Sequence, residues 1–147
     1  MLPEADVNLA LAVATDRGVA APVLMNVDRI LLPELVIRRS EITVRTRQNK
    51  LTLSDLEGAV GTLSNLGMYG VDRFEGIISP GQTFLLAVGR LRNRPWVDQS
   101  LVIKPTMILN LSVDHRAVDG AIAAEFLGCL AAFIEQPDQI TMEIERK

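Results

Sequence analysis

Several stretches of the chain have the apolar pattern of β-strands. Residues 7–14 (VNLALAVA) alternate strictly between large and small or polar side chains, and residues 107–114 (MILNLSVD) alternate except at one position. Residues 83–88 (TFLLAV) form a short apolar run after a short strand and a long glycine-containing loop. A hairpin is predicted where Gly18 suits the turn before a returning strand, and Pro22 places that strand at an edge or makes it irregular there. Residues 92–104 form either a second hairpin or an excursion at the sheet edge.

Two longer segments have the period of an amphipathic helix. The first runs from Glu34 to about Gln48, with Pro33 in its first turn. The second begins after Gly120, where Asp119 is placed to cap it, and its apolar face consists of Ile122, Phe126, Leu127, Leu130, Phe133 and Ile134. A shorter helix is predicted between them, because Ser54 and Glu57 have capping-box spacing and Gly58 and Gly61 follow.

The composition fits one globular domain, 1–147, with no internal repeat or linker. Hydrophobic residues make up 48% of the chain, and no apolar run reaches a membrane-spanning length. The net charge of −3 argues against a nucleic-acid partner. Cys129 is the only cysteine, which excludes an internal disulfide, and its apolar surroundings predict a buried thiol. With one cysteine and one histidine, we expect no metal site and a soluble, cytoplasmic protein.

The only histidine, His115, lies in SVDHRAVDG, at the end of a predicted strand. A strand end can hold a side chain toward a cleft, and an imidazole ordinarily titrates near neutral pH, so His115 is a candidate general base. A structural core histidine is the competing interpretation. Asp119 either orients the loop that carries His115 or only caps the following helix, and Arg116 is expected to pair with an acidic side chain.

Ser64, in GTLSNLG, is the second candidate. Its hydroxyl can donate to a developing oxyanion, or it can simply form a turn. A hydrolase that uses Ser64 as nucleophile is a third reading, but the GxSxG elbow is missing and the aspartate follows the histidine in the chain.

The segments LSVDHRAVDGA, GTLSNLGMYGVDRFEGIISPGQTFLLAVG and VNLALAVATDRGVAAPVL together resemble the catalytic domain of dihydrolipoamide acyltransferases, the E2 cores of 2-oxo acid dehydrogenase complexes. The resemblance implies an α/β two-layer sandwich of the chloramphenicol-acetyltransferase type, with a mixed sheet and helices packed on one face. It also implies homotrimers that can build larger cores. The active site then lies between subunits, where coenzyme A and a lipoyl group meet as substrates.

The same resemblance implies residue roles. His115 removes the proton of the coenzyme A thiol, and Ser64 from the neighbouring subunit stabilises the oxyanion, with Thr62 as a weaker candidate. Asp119 completes the catalytic set, while Asn65, Arg116 and Gly120 lie in the same two motifs as supporting residues. Acetyl is the default acyl group.

The chain also departs from this family. The family's catalytic domain has an opening segment with no counterpart here, so the chain is expected to be the C-terminal two-thirds of that domain. The lipoyl and peripheral-subunit-binding domains are expected on another chain or a missing segment, and E1 and E3 components are reached only through them. The ending ITMEIERK is charged, which favours a trimer over a cage. A catalytically inactive scaffold is therefore the alternative function, and a mitochondrial matrix protein the alternative location.

Overall fold

The computed structural model describes residues 6–97 and 99–137, so the ending ITMEIERK lies outside the described residues. The strands are β1 (Leu9–Leu11), β2 (Val13–Thr15), β3 (Gly18–Ala20), β4 (Val23–Leu24), β5 (Gly61–Asn65), β6 (Phe84–Val88), β7 (Arg92–Val97), β8 (Leu101–Thr106) and β9 (Leu109–Val113). The α-helices are α1 (Leu32–Arg47) and α2 (Gly120–Glu135). No helix in these ranges is long and apolar enough to cross a membrane.

Five strands form a mixed sheet in the order β4-β1-β5-β6-β9. Strands β1, β5 and β6 are parallel, while β4 and β9 run antiparallel at the two edges. The most buried residues of the sheet are Ala10, Ala87, Thr62 and Val23, followed by Leu85 and Leu86. Helix α1 lies against β2, and α2 contacts β9. The predicted α/β fold with a mixed sheet is confirmed.

The single strand predicted at 7–14 is two strands in the structure. The chain leaves β1 at Ala12, whose N–H still donates to the carbonyl of Leu63 at 2.9 Å, and β2 then pairs with β3 in a separate hairpin. Gly18 has φ +119°, which explains why glycine occupies this turn. Strand β4 lies at the sheet edge, as Pro22 predicted. Alternation showed which residues are extended but not where the strand changes partners.

The helix predicted from Glu34 begins at Leu32 with Pro33 in its first turn and ends at Arg47, which confirms it. The cap predicted from Ser54 and Glu57 is wrong. The capping box is formed by Thr52 and Asp55 around a 3₁₀ turn at Leu53–Asp55. Gly61 does not end that turn but begins β5, where a Cβ atom would approach the Phe84 ring to 2.4 Å.

The hairpin β7–β8 and helix α2 are also confirmed. The rings of Phe84 and Phe126, 6.2 Å apart between centroids, join α2 to the sheet. The burial expected for Cys129 is wrong, because its thiol is exposed. No residue of α2 is buried by the described part of the chain, and Ile122 and Phe126 remain 55% and 45% exposed. Within residues 6–97 and 99–137, this apolar helix face is covered only in part.

Candidate active site

His115 lies in a tightly bonded turn between β9 and α2. The N–H of Asp114 donates to the carbonyl of Thr83 at 2.8 Å, which ties the start of the turn to the neighbouring strand. The carbonyl of Asp114 accepts from the N–H groups of Ala117 and Val118, at 2.9 and 3.0 Å. His115 is exposed, and its imidazole makes no hydrogen bond to a residue that the structure describes. A fixed turn with an exposed imidazole suits a general base better than a core histidine.

Asp114 and Arg116 hold the turn from both sides of His115. The Arg116 Nε donates to both carboxylate oxygens of Asp114, at 3.0 and 3.1 Å, and its Nη2 donates at 2.6 Å. The Arg116 backbone N–H adds a bond of 3.0 Å. These hydrogen bonds lower the pKa of Asp114 from 3.8 to about 2, and the bonds from the Arg116 side chain have the largest effect. The same pair raises the pKa of Arg116. The acidic partner expected for Arg116 is confirmed.

We expect the Asp114 carboxyl to titrate with a pKa of about 2 in the intact chain and with a higher pKa, still below 3.8, in Arg116→Gln, which keeps the backbone N–H donor. Because the folded-state pKa is lowered, the stabilisation by this pair is present above pH 3.8 and is lost as the pH falls through about 2. Carboxyl ¹³C NMR of labelled aspartate measures both midpoints. A midpoint near 3.8 in the unsubstituted chain would contradict the observed geometry.

Asp119 caps helix α2. Its carboxylate accepts from the N–H of Ile122 at 2.9 Å, and Gly120 is the first residue of the helix, with open space where a Cβ would stand. The capping interpretation of Asp119 is therefore confirmed. Its second interpretation, that it orients the turn carrying His115, remains a prediction.

Ser64 is the fourth residue of β5 and is partly buried. Its hydroxyl makes no hydrogen bond to a described residue, whereas the hydroxyl of Thr62, on the same face, is buried and donates to Gln82 Oε1 at 2.5 Å. Asn65 lies at the end of the strand, where its side-chain oxygen accepts from the N–H of Gly67 at 2.8 Å. Of the two hydroxyls, only that of Ser64 makes no hydrogen bond within the part of the chain that the structure describes.

Ser64 and His115 lie at opposite ends of the sheet. Ser64 is in register with Ala87 of β6 and, through it, with Asn110 of β9. His115 follows Asn110 by five residues, toward the other end. Two strand spacings separate the residues by about 10 Å across the sheet, and the stretch of β9 beyond Asn110 adds about 10 Å along it. One chain does not bring both side chains to the same carbonyl group.

A cavity of about 380 Å³ lies at the Ser64 end of the sheet. It is lined by Ala14, Thr15, Asp16, Arg47 and Tyr69, which come from the β2–β3 hairpin, the end of α1 and the 3₁₀ turn after β5. The volume is in the range of small-molecule sites. Sequence patterns missed it, since its walls come from three distant segments. Residues 6–97 and 99–137 contain no group of three His, Cys, Asp or Glu placed to hold a metal ion.

The model of the family "2-oxoacid dehydrogenases acyltransferase (catalytic domain)" matches residues 1–142. The chain is 38% identical over 133 residues to the dihydrolipoyllysine-residue acetyltransferase component of the pyruvate dehydrogenase complex of Rickettsia bellii, covering 90% of this chain and 32% of that protein. It is 39% identical over 138 residues to chloroplastic component 4 of Arabidopsis thaliana, covering 92% and 29%. The chain thus spans about a third of the length of these curated relatives.

Two solved structures are similar to the whole fold. The cubic core of a pyruvate dehydrogenase multienzyme complex superimposes with a TM-score of 0.87 at 31% identity, and the dihydrolipoamide acetyltransferase of Azotobacter vinelandii with 0.86 at 32%. Each match covers 92% of this chain and 56% of the other. The Azotobacter enzyme was studied for the catalytic role of a serine, a histidine and an asparagine. There the asparagine follows the histidine by four residues, and the serine precedes it by 52.

Proposed function

The chain belongs to the family of 2-oxoacid dehydrogenase acyltransferase catalytic domains, and from this premise we propose that it transfers an acyl group, acetyl by default, between dihydrolipoamide and coenzyme A. The observation that carries the proposal is the spacing of Ser64 and His115, which differs by one residue from that of the serine and histidine in the Azotobacter acetyltransferase. Ser64 precedes His115 by 51 residues, and Asp119 follows it by four, where that enzyme has asparagine.

The site is shared between two copies of the chain, with His115 from one and Ser64 from the next. Two features support this arrangement: the distance between these residues within one chain, and the exposed apolar face of α2 around Ile122 and Phe126. We propose that the chain assembles as a trimer. A similar solved structure is the cubic core of a pyruvate dehydrogenase multienzyme complex, in which many subunits assemble symmetrically.

His115 acts as the general base. A free thiol has a pKa of about 8.5, so coenzyme A is mostly protonated at neutral pH and needs a base. The imidazole takes the thiol proton, the thiolate sulfur bonds to the carbonyl carbon of acyl-dihydrolipoamide, and the carbonyl π electrons move to oxygen. When the bond to the dihydrolipoamide sulfur breaks, the imidazolium returns the proton to that sulfur. The acyl group leaves on coenzyme A, and no covalent enzyme intermediate forms.

The Ser64 hydroxyl donates a hydrogen bond to the tetrahedral oxyanion and keeps its proton. Thr62 is the weaker candidate because its hydroxyl is buried and already bonded to Gln82. Asp119 acts by holding the helix that follows the His115 turn, and Asp114 and Arg116 hold the turn itself. Asn65 and Gly120 shape the two loops without touching the reacting atoms.

The acyl group arrives on a lipoyl domain from another chain or segment, and E1 and E3 components are partners of that larger assembly. We propose the cytoplasm as its location, while two relatives from Arabidopsis thaliana are chloroplastic. The alternative, an inactive scaffold, is disfavoured by an exposed imidazole and an unoccupied hydroxyl, since a scaffold needs neither.

Acyl transfer from acetyl coenzyme A to free dihydrolipoamide tests the proposal. We expect thioester formation that depends on dihydrolipoamide, with no release of acetate and no labelling of Ser64 by a serine-directed reagent. A panel of acetyl, succinyl and branched acyl donors identifies the acyl group. Acetate release together with labelling of Ser64 would instead establish a hydrolase. A folded trimer that catalyses neither reaction would support the inactive-scaffold interpretation.

A further inference from the structure

The long loop between β5 and β6 crosses the face of the sheet that carries Ser64. Residues 71–82 form this loop, the cover loop. Ser64 is in register with Ala87 and, through it, with Asn110, and register partners in neighbouring strands point to the same face. Leu85, two residues before Ala87 on β6, shares that face as well. The cover loop is fixed to the sheet at its start, its middle and its end.

The start of the cover loop is fixed at the end of β6. The Arg90 N–H donates to the carbonyl of Val71 at 2.8 Å, and a Cβ on Gly89 would meet the Asp72 carbonyl oxygen at 2.0 Å. Backbone at this distance leaves room only for glycine. The Asp72 carboxylate is also contacted, at 3.1 to 3.3 Å, by side-chain nitrogens of Arg90, Arg92 and Arg94. The loop therefore begins its path across the sheet from a defined point.

The middle of the cover loop is held by Asn110. The Asn110 Nδ2 donates to the carbonyl of Phe74 at 2.8 Å. Among the residues that the structure describes, this is the only hydrogen bond between residues 73–78 and the sheet. Gly76 lies directly against the sheet, since a Cβ there would stand 2.3 Å from Leu85 Cδ2. The height of this part of the loop above the face thus depends on one side-chain amide.

The end of the cover loop is fixed at the start of β6. The Thr62 hydroxyl donates to Gln82 Oε1 at 2.5 Å, and the Gln82 N–H donates to the carbonyl of Ser79 at 3.1 Å. Thr83 then donates to the carbonyl of Val60 through both its N–H, at 2.8 Å, and its hydroxyl, at 2.9 Å. Because both ends have their own contacts, loss of the hydrogen bond in the middle should release the middle alone.

The face beneath the cover loop has little open space beside Ser64. Ala87, the register partner of Ser64, is 1% exposed, and Leu85 and Thr62 are 6% and 3% exposed. Ser64 itself is only partly buried. An acyl group whose carbonyl oxygen accepts from the Ser64 hydroxyl therefore has packed side chains next to it. Each added methyl group would force the loop or these side chains to shift, because a packed region takes up extra volume only in that way.

We propose that the cover loop limits the acyl group to about the size of acetyl and that Asn110 is the positioning residue that sets this limit. This role rests on the proposed function, and it names short, unbranched acyl groups as the substrate class. Asn110 lies two strand spacings, or about 10 Å, from Ser64, so it does not touch the reacting atoms. It acts through the Phe74 carbonyl, which it holds over the face.

Asn110→Ala should raise the ratio of kcat/KM for isobutyryl coenzyme A to that for acetyl coenzyme A about tenfold, with free dihydrolipoamide as acceptor. The substitution removes the amide that holds Phe74, and the released loop makes room for a branched chain. Asn110→Asp keeps the shape but has no N–H to donate, so it should shift the ratio in the same direction. A loss of folded protein lowers both rates equally, and a purely structural role would leave the ratio unchanged.

Asn93→Ala is the matched control, because Asn93 is an exposed asparagine of β7 whose side chain makes no hydrogen bond to a described residue. It should keep the parent ratio. Hydrogen exchange measured by mass spectrometry on the assembled protein tests the loop itself. Amides of residues 71–82 should exchange faster in Asn110→Ala than in the parent and the control. Exchange at the parent rate would overturn the positioning role.

The size limit and the acyl transfer fail in different ways. An unchanged ratio in an active Asn110→Ala, or a parent chain that transfers isobutyryl as well as acetyl, overturns the size limit while acyl transfer stands. Transfer of neither group by the parent chain defeats the proposed function, and the size limit with it. A raised ratio together with faster exchange in the cover loop supports both.

Discussion

His115→Ala is expected to lower the rate of acyl transfer by about 10²- to 10⁴-fold, the contribution that a general base usually makes. The loss should fall on kcat, because the imidazole acts on a proton and not on substrate binding. The melting temperature should change little, since His115 is exposed and makes no hydrogen bond to a described residue.

Steady-state transfer with varied coenzyme A, together with thermal unfolding and light scattering, measures these effects. His115→Gln is the matched variant, because it keeps a polar side chain in the turn but cannot take the proton. It should be as slow as His115→Ala. A variant that unfolds would favour a structural histidine, and one that keeps full activity would remove His115 from the mechanism.

Mixing two inactive variants is expected to restore activity. Ser64→Ala alone should lose about 10²- to 10³-fold in kcat through its missing oxyanion donor, and His115→Ala is inactive through its missing base. If each site takes its histidine and its serine from different copies, some sites in mixed trimers contain both. Random assembly of equal amounts gives about one quarter of the sites a complete pair.

Co-expression with two affinity tags isolates the mixed assemblies, and the transfer assay then gives the recovered fraction. A chain that carries both Ser64→Ala and His115→Ala, mixed with itself, is the control and should stay inactive. Each mixed trimer has one complete pair among its three sites, so recovery near a third of the parent rate in the isolated assemblies supports the shared site. Mixed trimers that stay inactive would mean that one chain supplies both groups, contrary to the register of β5, β6 and β9.

The sequence by itself determined the local elements. Period-two alternation gave β9, the period of 3.6 gave α2, and Asp119 marked the helix start, because these features depend on neighbours within a few residues. Even at this level, the cap at Thr52 and Asp55 was missed, since Ser54 and Glu57 have equally suitable spacing and only the observed hydrogen bonds distinguish them.

The sequence identified the two motifs that contain Ser64 and His115, through their residues and the family resemblance. It did not predict how far apart the two motifs lie in the folded chain. That Ser64 and His115 lie at opposite ends of the sheet follows from β9 running antiparallel to β6, which is a tertiary fact. Asp72 meets Arg90, Arg92 and Arg94 only because a loop crosses the strand end at Gly89. Sequence pattern reports periodicity along one segment, whereas a site between segments depends on register and packing, which only the folded chain decides.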